Sequence, residues 1–85
     1  MRQFIIQFRF EEKTYQADVT EIDGLDDIQY AVSPRDEQLA VRFRTHVLEK
    51  DKDSSQWHYD LPSAANGEAY MQAVAKGLEE ALKKN

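Results

Sequence analysis

From Gln3 to Phe10 the apolar residues Phe4, Ile6, Phe8 and Phe10 recur at every second position against Gln3, Gln7 and Arg9. A period of two is that of a β-strand with one buried face, and a helix would scatter the same residues around its axis. Only Ile5 breaks the alternation. After Glu11-Glu12 the parity switches, so that Tyr15, Ala17 and Val19 form one face of a second strand and Thr14, Gln16, Asp18 and Thr20 the other.

Asp23-Gly24 is the clearest turn signal, because this pair accepts the positive φ values of a two-residue type I′ hairpin turn. A turn centred there sets Val19 opposite Ile28, Ala17 opposite Tyr30 and Tyr15 opposite Val32. Ser33-Pro34-Arg35-Asp36 ends the third strand with turn residues. Leu39, Val41, Phe43 and Val47 mark a fourth strand with Arg42, Arg44 and His46 facing away. The polar run Glu49 to Ser55 is a loop, and Trp57, Tyr59 and Leu61 form a short fifth strand that Pro62 stops. Asn66, with Ser63 as the alternative, reads as the N-cap of a closing helix whose buried stripe is Met71, Val74, Ala75, Leu78, Ala81 and Leu82. Glu79 with Lys83 and Glu80 with Lys84 are its solvent-side i, i+4 pairs.

The expected fold is therefore α+β: an antiparallel meander of about five strands (approximately 2–10, 14–22, 25–33, 39–48 and 56–61) on one C-terminal helix (approximately 67–84). With each strand keeping its own parity, Phe4, Phe8, Phe10, Tyr15, Tyr30, Phe43, Trp57 and Tyr59 share one face, which is the core. The 85 residues suit a single compact domain over 1–85, with 41% apolar and 32% charged residues to pack and solvate it.

Cysteine is absent, which excludes disulfides and thiolate metal sites. The N-terminal apolar stretch is interrupted by Arg2, Gln3, Gln7 and Arg9, so neither an export signal nor a membrane segment is expected, and a cytoplasmic location fits. The net charge of −5 works against long-range attraction to nucleic acid or an anionic membrane. No cofactor is expected, because glycine-rich phosphate loops, dinucleotide fingerprints and His-Glu-x-x-His helices are missing, and no nucleophile context supports an enzyme.

One argument points to association. Strands lie about 4.8 Å apart, so a five-stranded sheet is roughly 20–24 Å across, against about 10 Å for one helix with its side chains. The uncovered apolar width must be hidden by curling, by a ligand or by a second subunit, and a homodimer or another protein partner is the expectation. Trp57, Tyr70 and Gly77 are the residues placed at such a contact, with Gly77 marking close approach of the helix to the sheet or to a neighbour.

Two further constellations are candidates. Arg9, Arg42 and Arg44 gather on the outer sheet face and offer an alternative role in single-stranded nucleic-acid binding, although the aromatic platforms such surfaces use lie on the opposite face. His46 and His58 would stand opposite each other if Val47 pairs with Trp57, with Asp60 nearby, as a metal or pH-responsive pair. Glu21, Asp23, Asp26 and Asp27 lack calcium-loop spacing and read as a solvated turn. A four-stranded meander followed by a helix is similar in outline to the dimeric single-strand-binding coactivator and Whirly folds, a likeness of topology that carries over no functional residue. The expected function is a non-enzymatic interaction module that self-associates through apolar sheet or helix surface.

Overall fold

The computed structural model describes residues 1–54 and 56–83. In chain order the elements are β1 (Arg2–Phe10), β2 (Lys13–Asp23), β3 (Asp27–Pro34), α1 (Glu37–Phe43), β4 (His46–Asp51), β5 (Trp57–His58) and α2 (Gly67–Lys83). The strands form one antiparallel sheet in the order β1-β2-β3-β4-β5. The α+β class, the meander and the C-terminal helix are as the sequence predicts. Lys84, in the expected Glu80 pair, and Ser55, in the polar loop, lie outside the described residues.

The fourth strand is corrected. Residues 37–43 are helical, and the strand begins at His46. Leu39 and Phe43 are four apart, so the same apolar pair that alternates as a strand also lies on one side of a helix, and both are buried. Val41 is exposed between them. Asp36 starts α1 as its N-cap, its Oδ2 accepting from the Leu39 N–H at 3.1 Å. Because the helix absorbs those residues, β4 restarts with the opposite parity: Leu48 is buried, while Val47, expected inside, is half exposed. The fifth strand is shorter than expected and ends at His58.

The turns are corrected too. The β1–β2 hairpin closes at Phe10↔Lys13, and its two loop residues, Glu11 (φ 50°) and Glu12 (φ 67°), adopt the left-handed conformations of a type I′ turn. Asp23-Gly24 does not form one, since Gly24 has no positive φ. There the Gly24 N–H donates to the Asp27 carbonyl at 2.9 Å, with Leu25 and Asp26 at the tip. The β2–β3 register accordingly pairs Val19 with Val32 and Ala17 with Pro34. This slip of four residues is even, so every side chain keeps its expected face.

The core-side width is covered within the chain. α1 brings Phe43 against Tyr70 of α2, stacked at 4.0 Å between ring centres, and Phe8 and Phe10 of β1 meet Tyr70 edge-on at 5.7 and 5.5 Å. α2 touches both ends of the sheet: Gly77 lies against β1, and Glu79 accepts a hydrogen bond from Trp57 Nε1 of β5 at 2.9 Å. In a flat sheet those edge strands would stand about 19 Å apart, twice the width of a helix. The sheet is therefore curled around α2.

Candidate interaction edge

β1 is an edge strand, and the ladder alternation determines which of its backbone groups are unpaired. The two-residue hairpin makes Phe10↔Lys13 a hydrogen-bonded pair, so Phe8, Ile6, Phe4 and Arg2 also bond to β2. The bonds at the next seam agree: the Gly24 N–H donates to Asp27 O, and the Arg35 N–H donates to Gln16 O at 3.0 Å. These put the even residues of β2 toward β3 and leave its odd residues for β1. It follows that Gln3, Ile5, Gln7 and Arg9 direct their N–H and C=O groups away from the sheet.

α2 covers part of this edge. A Cβ on Gly77 would lie 2.6 Å from Gln7 O, so the helix backbone sits directly on the Gln7 carbonyl. Among the described residues the edge is open toward the start of β1. Ile5 is half exposed, and two concavities flank the strand there. One runs from α2 across the edge itself, lined by Phe4 and Ile6, by Gly77, Glu80 and Ala81 of α2, and by Ile5, Gln7 and Gln16 of the outer side. The other, on the outer side, is lined by Gln3, Ile5, Asp18 and Thr20. The segment carries no proline or bulge; Arg2, next to it in the strand, is held back on β2 by Glu21 at 3.0 Å while its guanidinium lies 4.9 Å over Phe4, and Asp18, opposite Ile5, is paired with Arg35 at 2.9 Å. The usual devices that blunt an edge are thus missing between Gln3 and Ile5.

The residues expected to form a basic outer face do not share one. Arg9 is exposed on the outer side. Arg42 rides on α1 and stands 5.5 Å over the ring of Phe10, which points to the other side of β1. Arg44 is the C-cap of α1 with φ 57°. Arg42 is also engaged, donating through Nη1 and Nη2 to Glu11 Oε1 and Oε2 at 2.9 and 3.0 Å. Asn66 Nδ2 donates to the same carboxylate at 2.9 Å, so the expected N-cap of α2 uses its side chain on Glu11 and itself adopts φ 64°. The Arg42 hydrogen bonds, then that of Asn66, hold the Glu11 carboxyl down at about 2. This clasp ties the β1–β2 turn to α1 and to the start of α2.

The histidines are likewise apart. His46 pairs with Val32 on the core side of β4, and His58 pairs with Glu49 on the outer side. His58 Nε2 is 3.9 Å from Asp51, whereas Asp60 lies beyond the end of β5. Glu49 has its carboxyl pushed up by a hydrogen bond to Asp27 and by that group's negative charge. Among the described residues no group of three or more His, Cys, Asp or Glu side chains is placed to hold a metal ion.

The residues assigned to association are used inside the chain. Trp57 packs edge-on against Tyr30 at 5.5 Å. Tyr70 is buried, its hydroxyl has no hydrogen-bond partner among the described residues, and burial pushes the phenol up to about 12. Gly77 faces β1. What residue-level reading left out of the site was Ile5, and the signal was present: it is the one apolar residue on the polar side of the first strand. Among the described residues no helix is long and apolar enough to cross a membrane. Set against protein-family models, curated proteins and solved structures, the chain shows no significant match to any of them.

Proposed function

We propose that this chain is a non-enzymatic protein-interaction module that works by strand addition at the open part of the β1 edge. The observation that carries the reading is the run Gln3 to Ile5, where backbone groups at strand spacing, without a partner among the described residues, lie beside two concavities, one running from α2 across the edge and one on the outer face. Backbone groups in that array are satisfied best by another extended chain, and flanking hollows receive its alternate side chains. We assign the cytoplasm as its setting on the cysteine-free composition.

A photo-crosslinking residue placed at Ile5 tests this in living cells, with the same residue at Val41 as control, since Val41 is 79% exposed on α1. The expected outcome is a discrete protein adduct from position 5 and none from position 41. Equal yields, or no adduct at position 5, would remove the interaction role.

A further inference from the structure

The open edge also specifies its own partner. We infer that the strand added to β1 is the β1 strand of a second copy, antiparallel about a two-fold axis at Phe4, so that the two sheets become one. This rests on the strand-addition role of the edge. The register follows from the positions that are open. Only odd residues have free backbone groups, so hydrogen-bonded partners across the axis must be odd with odd. Pairing Ile5 with Ile5 of the other copy would bring Gln3 opposite Gln7, whose carbonyl is covered by Gly77. Pairing Gln3 with Gln3 would shorten the contact to Arg2 through Phe4. The longest register that keeps Gln7 out sets Gln3 opposite Ile5, Ile5 opposite Gln3, and Phe4 opposite Phe4.

That register is self-complementary in other respects. Phe4 meets its equivalent at a non-hydrogen-bonded position, where side chains on neighbouring strands come closest, on the core side of both sheets. Ile5 packs beside Gln3 on the outer side and loses its exposure. The charged end residue, Arg2, lies opposite Ile6 and is four positions from its own equivalent, so the two Arg2 side chains do not face each other across the seam. Each Ile5 N–H donates to a Gln3 carbonyl and each Gln3 N–H to an Ile5 carbonyl. The contact is isologous and closes after two copies.

Sedimentation across the micromolar range, combined with amide hydrogen exchange by NMR, tests the pairing. In a monomer the Gln3 and Ile5 amides exchange fast while those of Phe4 and Ile6, bonded to β2, are protected. The expected result is a dimer in which Gln3 and Ile5 also become protected as concentration rises. Ile5→Pro removes only an edge donor and should weaken association about tenfold or more, the equivalent of 1.4 kcal/mol. Ile5→Lys, which places a charge on the seam without altering the backbone, should do the same and serves if the proline variant does not fold. Val41→Lys should leave the dimer intact. A monomer at every concentration, or a dimer indifferent to both Ile5 variants, overturns the inference. If the chain stays monomeric while position 5 crosslinks a different protein in cells, the occupant is another chain's strand, and the interaction role stands without the homodimer.

Discussion

At the scale of single residues the most constraining atom is one that is missing. Gly77 costs about 1 kcal/mol of helix propensity relative to alanine, yet a methyl group there would be driven into the Gln7 carbonyl at 2.6 Å and toward Phe8 Cβ at 3.1 Å. Backbone cannot step aside as a flexible side chain can. Gly77→Ala should therefore destabilise the fold by roughly 1–3 kcal/mol despite its better propensity, as overpacked cores do. Urea unfolding measures the difference. A stabilised variant would show that α2 can lift off β1 without loss. The glycine was visible in the sequence as a residue in need of a close neighbour, but whether that neighbour was its own sheet or another molecule depended on how far the sheet curls, and curvature is absent from a hydropathy pattern.

At the scale of elements, strands β1, β2 and β3 and helix α2 were legible because each shows its period over many residues. α1 was not. In seven residues, Leu39 and Phe43 satisfy both a two-residue and a four-residue spacing, and Val41 tips the count toward a strand although it ends up in solvent. The decisive feature is Asp36 three residues before Leu39, an N-cap that in Ser33-Pro34-Arg35-Asp36 also has the composition of a turn. Asp36→Ala should lower stability by about 1 kcal/mol. Near-ultraviolet circular dichroism should register a looser Phe43–Tyr70 stack, and an unchanged spectrum and midpoint would mean that packing alone holds α1. The slipped β2–β3 register escaped notice for a different reason: an even slip leaves every face assignment intact, so burial patterns cannot report it. For the site, the outward Ile5 was legible but its meaning was not, since the free edge depends on which strand lies outermost.

At the scale of the whole molecule, the clasp at Glu11 joins segments that are distant in sequence, with Arg42 and Asn66 lying 31 and 55 residues away. Its carboxyl is held at about 2, below the ordinary value of 4.5, so its contribution to stability is fully present above pH 4.5 and is lost as pH falls toward 2. Glu49 works in the opposite sense. Its raised value means that stability is highest with the group protonated and declines as pH rises above 4.5 through that folded value. Glu11→Gln should lower the denaturation midpoint at neutral pH and flatten its fall between pH 4.5 and 2. Parallel curves for variant and parent would mean that the clasp contributes nothing to acid sensitivity. The same clasp bears on the order in which a growing chain acquires structure. The β1–β2 turn asks two glutamates for a left-handed backbone that suits glycine or asparagine, and the groups that anchor Glu11 emerge long after it. Within this domain the hairpin leaves the ribosome ahead of Arg42 and Asn66, so its tip can be fastened only once α1 and the start of α2 have been made.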